Sequence, residues 1–169
     1  MIMGLKACLF DMDGVIVDSA QHHFVAWQRL AEELSISFTE EDNHALKGLS
    51  RVDSLDHILR MGQLQLDEKT KVKLMDQKNA WYLELIKGMT SKDILPGAGE
   101  LIEALVAEGV KVGLGSSSRN ARLILDNVGL TPLFDVVVDG NHLTLSKPDP
   151  EVFLKGAGAL GLQPAEVVV

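Results

Sequence analysis

The sequence predicts an α/β fold, a doubly wound parallel sheet carrying an inserted helical domain, and three observations carry that prediction. Short apolar runs with strand character alternate with helical stretches along the second half of the chain. None of these runs shows strong polar alternation, which suits strands covered on both faces of a parallel sheet. A long stretch between the first and second runs carries helical periodicity and no strand signal.

In chain order, the first strand is expected over Lys6–Phe10, and Gly14 soon after it marks a turn. Residues 18–90 then form the helical insertion. Phe24, Trp27, Leu30, Ala31 and Leu34 recur at helical spacing, as do Ala45, Leu46 and Leu49. A later helix is expected over Glu68–Ile86, with Val72, Leu74, Met75, Leu83 and Ile86 as its apolar positions. The helix at Gly99–Glu108 precedes the second strand, Val110–Leu114, and Gly109 supplies its stop. A helix over Asn120–Asn127 follows that strand. After the third strand, Asp135–Val138, the Pro148-Asp149-Pro150 entry favours a helix over Glu151–Leu160. A fourth strand is expected over Val167–Val169. Residues 1–17 and 91–169 thus form the α/β core, joined by right-handed crossovers.

The chain has 169 residues, enough to bury roughly two-thirds of the surface of its unfolded form. Its net charge of −8 disfavours nucleic acid and anionic membrane as partners, and an anionic substrate would need local basic residues. The one cysteine, Cys8, lies in an apolar strand and reads as a buried, inert thiol. No signal peptide and no apolar run of about 18 residues is visible, so the expected location is the cytoplasm.

Chemistry concentrates in LKACLFDMDGVIVDS, residues 5–19. Two aspartates one residue apart follow an apolar strand, at the carboxyl end where open α/β sheets bind ligands. Close carboxylates repel unless a cation or a shared proton relieves them, and magnesium with a phosphate meets that need. A solvated acidic turn is the plain alternative. The full pattern D-x-D-G-V-x-x-D-S resembles the nucleophile loop of the haloacid dehalogenase-like (HAD) superfamily of phosphotransferases. The resemblance implies a Rossmann-like core, Asp11 as nucleophile and Asp13 as general acid/base. It also implies that Asp11 and the Asp13 carbonyl hold magnesium.

Further motifs extend the resemblance. GLGSSSRN, residues 113–120, puts small residues before a helix start, where backbone N–H groups can meet an anion; a serine-rich N-cap without a ligand is the alternative. The resemblance makes Ser116 the phosphate-binding hydroxyl and Ser118, Arg119 and Asn120 the holders of a second phosphate. It likewise makes Lys147, before the Pro-Asp-Pro turn, the cation balancing nucleophile and phosphate.

In the insertion, LKGLSRVDS and DSAQHHFVAW resemble segments of the β-phosphoglucomutase branch. That similarity implies substrate contacts from Ser19, His23, Trp27, Lys47, Gly48, Arg51, Ser54 and Lys78. Arg51 grips the distal phosphate and His23 couples closure of the helical cap to catalysis. Taken singly, Arg51 and Lys78 read as surface charges, and Trp27 as a core residue on its helix. The implied activity is a magnesium-dependent phosphosugar mutase that interconverts β-glucose 1-phosphate and glucose 6-phosphate and acts as a monomer. A phosphatase of small phosphate esters is the alternative. The family's fourth motif, an acidic pair after the fourth strand, has no counterpart before Val169. The expectation is therefore a fragment or a shortened chain, its core lacking the C-terminal part and its magnesium site weakened, which would leave a non-catalytic phosphosugar-binding protein as a third reading.

Overall fold

A computed structural model describes residues 5–169. In chain order it contains β1 (Ala7–Phe10), α1 (Ala20–Glu33), α2 (Glu40–His44), α3 (Arg51–Met61) and α4 (Glu68–Ile86). There follow α5 (Ala98–Ala107), β2 (Lys111–Gly115), α6 (Ala121–Val128), β3 (Val136–Val138), α7 (Glu151–Ala159) and β4 (Val167–Val168). The chain divides into two compact units, Met1–Asp18 with Met89–Val169, and Ser19–Gly88.

The first unit is built on a four-stranded sheet of order β3-β2-β1-β4, and every strand pair is parallel. Phe10 lies opposite Leu114, and Leu114 opposite Val137, so the carboxyl ends of β1, β2 and β3 fall side by side. The chain steps from β1 to β2 to β3 in one direction and returns to place β4 on the far side of β1. Ligands of open α/β sheets bind at the carboxyl ends beside such a reversal. Helix α6 shows why the helices cover the sheet: Ala121, Ile124, Leu125 and Val128, on one face at helical spacing, are all buried. It ends on Gly129, whose positive φ of 79° satisfies the last turn at no Cβ cost. Cys8 is half-buried rather than buried, and that burial pushes its thiol up from the ordinary value.

The second unit is a helical domain around a core of Phe24, Trp27, Leu30, Ile36, Phe38, Leu55, Ile58 and Leu59. Side chains buried to this degree contribute roughly 1.5–3 kcal/mol each. Three helices open on side-chain caps: Thr39 for α2, Ser50 for α3 and Asp67 for α4. Two features differ from the sequence expectation. Ala45, Leu46 and Leu49 do not continue a helix, since α2 stops at His44 and the chain turns until Ser50 caps α3. On α4 the buried positions are Lys78, Tyr82 and Ile86, while Val72 is exposed. Of the expected apolar positions Ile86 is buried and Leu74 and Met75 pack against the core, and a lysine, Lys78, joins them on the buried face.

Candidate active site

Asp11 is the first residue past β1. Its Oδ1 accepts a hydrogen bond from the Met12 N–H at 2.8 Å and lies 2.8 Å from Lys147 Nζ. The lysine also donates to the Gly115 carbonyl at 3.2 Å, and so spans the ends of β1 and β2. Its side chain is about four-fifths buried, and its ammonium lies 5.1 Å from the centre of the Phe153 ring. With the lysine side chain largely out of water, this ion pair is screened less than one between two fully exposed side chains.

The chain then turns tightly. The N–H groups of Val15, Ile16 and Val17 all converge on the Met12 carbonyl, at 3.2, 2.9 and 3.2 Å. Gly14, with φ of 75°, makes the turn and donates to the Val17 carbonyl at 2.8 Å. Asp13 stands in this turn, partly exposed, and bridges to Val17. The turn is itself tied down, because Leu95 donates to the Ile16 carbonyl at 2.8 Å.

Ser116, past the end of β2, is fully buried. Its N–H donates to the Val138 carbonyl at 3.0 Å, and its hydroxyl accepts from the Ser118 N–H at 3.1 Å. Ser118 in turn accepts from the Asn120 N–H at 3.2 Å, which leads directly into α6. Asp11, Ser116 and Lys147 are thus brought to one edge of the sheet, with Asp13 and the Ser118–Asn120 segment on adjoining turns.

In the helical unit, Ser19 is buried at the start of α1 and its carbonyl receives the His23 N–H at 3.1 Å. Lys78, only 3% exposed, puts its Nζ 3.1 Å from His23 Nδ1. An ammonium can only donate, so Nδ1 is the accepting nitrogen. The same ammonium lies 4.5 Å from the Trp27 ring centre and 4.6 Å from that of Tyr82, and the Tyr82 ring stacks on His23 at 4.1 Å. Two aromatic faces therefore compensate for the water this cation has lost. Trp27 is at once a core residue and a wall of this cage.

Arg51 Nη2 donates to Asn79 Oδ1 at 2.7 Å. Arg51 and Ser54 belong to the first turn of α3 and not to a loop, and Ser54 is buried. Lys47 is exposed on the turn before it, and Gly48 has φ of 79°. Sequence reasoning missed Tyr82 as a partner of His23 and Lys78. It also missed Asp139, a buried acid after β3. Its signal was an aspartate between a valine strand and a glycine, as at Asp13-Gly14.

Two carboxylates and nearby main-chain carbonyls are hard oxygen donors, the kind magnesium takes while keeping several waters. Among the described residues no group of three or more His, Cys, Asp or Glu side chains is gathered to hold a metal. A cation that uses only one or two protein carboxylates together with a substrate phosphate fits that donor set.

A parallel sheet with a carboxylate–lysine pair and a buried serine at its carboxyl edge defines an α/β scaffold for handling an anionic group. Residues 5–169 match the family model for haloacid dehalogenase-like hydrolases, and the chain belongs to that family. It is 43% identical to the β-phosphoglucomutase of Bacillus subtilis, over 96% of this chain and 73% of that protein. It is 30% identical to a phosphorylated carbohydrates phosphatase of Thermotoga maritima, over 98% of this chain and 75% of that one. The crystal structure of a Clostridium difficile β-phosphoglucomutase superposes with a TM-score of 0.94 at 39% identity, covering 96% of this chain and 74% of the other. No helix among the described residues is long and apolar enough to cross a membrane.

Proposed function

We propose that the chain is a phosphosugar mutase that interconverts β-glucose 1-phosphate and glucose 6-phosphate through an aspartyl-phosphate at Asp11. The observation that carries the proposal is the 2.8 Å contact between Lys147 and Asp11 Oδ1. The contact engages Oδ1, and in this reading the other oxygen, Oδ2, attacks the phosphorus. The 43% identity to a β-phosphoglucomutase supports the mutase over other chemistries of the family.

In this reading the phosphoryl group leaves Asp11 for the sugar C6 hydroxyl, and Asp13 takes that hydroxyl's proton. The resulting bisphosphate turns over. Its C1 phosphoryl group then returns to Asp11, while Asp13 gives the proton to the C1 oxygen that is released. Such acid/base help is worth about 10²–10⁴ in rate. Ser116 and Lys147 offset charge on the transferring group. Asp11 and the Asp13 carbonyl would hold magnesium, which would supply further charge neutralisation. Arg51, Ser118, Arg119 and Asn120 hold the phosphate that is not transferring, and arginine suits that role because its planar fork gives two parallel bonds. Ser19, His23, Trp27, Lys47, Gly48, Ser54 and Lys78 line or shape the sugar site.

The second reading is a phosphatase of small phosphate esters, favoured by the 30% identity to a carbohydrate phosphatase. Substitution Arg51→Ala separates the two. A mutase loses isomerisation of β-glucose 1-phosphate by about tenfold or more, as expected when a charged hydrogen-bonding partner is removed. A phosphatase that does not use Arg51 keeps its rate on simple phosphomonoesters. Isomerisation measured by coupled oxidation of glucose 6-phosphate decides between them. Absence of any isomerisation in the unsubstituted protein, with phosphomonoester hydrolysis intact, refutes the mutase.

A further inference from the structure

We infer that Asp139, which contacts no substrate in the mechanism above, is a positioning residue for the anion-binding segment Ser116–Asn120. The inference rests on the reading of that segment as a phosphate site. Asp139 follows β3 directly and its side chain is 3% exposed. A carboxylate so buried is costly unless it is satisfied, and here it is. Its Oδ1 lies 2.8 Å from His142 Nδ1 and accepts the Asn141 N–H at 2.9 Å, while its Oδ2 lies 3.9 Å from Arg122 Nε. The carboxylate thus folds residues 139–142 into a compact turn.

That turn grips the neighbouring segment. Beginning at the strand end, the Ser116 N–H donates to the Val138 carbonyl at 3.0 Å. Gly140 N–H donates to the Ser118 carbonyl at 3.1 Å, and Asn141 Nδ2 to the Arg119 carbonyl at 3.1 Å. The backbones approach so closely that a Cβ on Gly140 would fall 2.3 Å from the Ser117 carbonyl oxygen. Carbonyls are what an anion-binding segment must turn away from its ligand. In a trans peptide C=O and N–H point in opposite directions, so fixing the Ser118 carbonyl on the turn aims the Arg119 N–H to the other side. Asp139 therefore sets the polarity of a segment that its side chain never touches.

Titration of inorganic phosphate into the isotope-labelled chain in magnesium buffer, read from backbone amide shifts of residues 116–120, tests this. Asp139→Ala is expected to bind phosphate about tenfold more weakly or worse, because small misplacements of binding groups cost that much. Asp139→Asn keeps the shape and an oxygen for the Asn141 N–H, and is expected to restore affinity to within about threefold of the unsubstituted chain. Leu59→Ala, in the core of the helical unit, lowers the melting temperature without moving phosphate affinity, which separates positioning from loss of stability. Should Asp139→Ala not fold, the exposed Asn141→Ala removes one clamp directly and is expected to weaken phosphate severalfold. Phosphate affinity unchanged in Asp139→Ala, or in Asn141→Ala if the former does not fold, overturns the positioning role alone. If amides 116–120 of the unsubstituted chain ignore phosphate, the anion site itself is refuted and the inference falls with it.

Discussion

Glu151 opens α7 with its carboxylate turned back onto the loop that leads to Lys147. It accepts from Leu145 N–H at 2.6 Å and from Thr144 N–H at 3.0 Å, and Lys155 stands 2.6 Å away. The Lys155 ammonium first, and then these backbone donors, hold its carboxyl down to about 2, from an ordinary 4.5. A depressed carboxylate contributes stability above its unfolded value, and that contribution is lost as pH falls through the folded one. The advantage of the native chain over Glu151→Gln is therefore expected to be full above about pH 5 and to vanish as pH approaches 2. Thermal melts of both proteins across that range measure it, and a gap that does not change with pH contradicts it. Glu151 escapes a reading of sequence, and Lys78 is named there only through the family resemblance, because the meaning of both depends on neighbours. Alone, Lys78 has the signature of a surface charge; only the stacked His23 and Tyr82 and the Trp27 face make a buried cation tolerable.

Helix α3 shows how local chemistry sets an element that periodicity hides. Ser50 Oγ accepts the Asp53 N–H at 3.1 Å and donates to the Asp53 carboxylate at 2.6 Å, which fixes the first turn on which Arg51 stands. Ser50→Ala is expected to cost about 1 kcal/mol of unfolding free energy in urea denaturation, the usual loss for an N-cap. A change within experimental scatter would mean that Arg51 and Asn79 hold the turn without the cap. Legibility in the sequence follows the same logic. The four strands and α4 were predicted almost to the residue, because short unbroken apolar runs and helical spacing are signals carried within the element. The helix α3 was not predicted: only Leu55, Ile58 and Leu59 of its face are buried apolar positions, and charged residues crowd the rest. Asp11, Asp13, Ser116 and Lys147 were singled out by their resemblance to family motifs, and the structure puts Asp11, Ser116 and Lys147 at the carboxyl ends of β1 and β2. Asp139 was not, because its partners are Arg122 on α6 and Asn141 and His142 of its own turn, and nothing in the strand itself marks that grouping.

At the scale of the molecule, the net charge of −8 works against Lys147 and the other cations that the proposed function assigns to a phosphosugar. Lys147 beside Asp11 offers attraction over a few ångströms, whereas the summed charge acts over the screening length. That length is about 30 Å at 0.01 M salt and about 8 Å at 0.15 M. A phosphosugar approaching at low salt therefore meets the repulsion of the whole surface, and at higher salt meets only the local cations. Raising ionic strength across that interval, with magnesium held saturating, is expected to increase kcat/KM for a phosphosugar by roughly twofold to tenfold. Most enzymes that bind anions through a basic surface behave in the opposite sense, because salt weakens their steering. A decrease here would show that the cations nearest the substrate dominate the field even at long range. An increase that shrinks when an exposed acid at the opposite end of the sheet, such as Glu108 at the end of α5 just before β2, is replaced by glutamine would trace the effect to the overall charge.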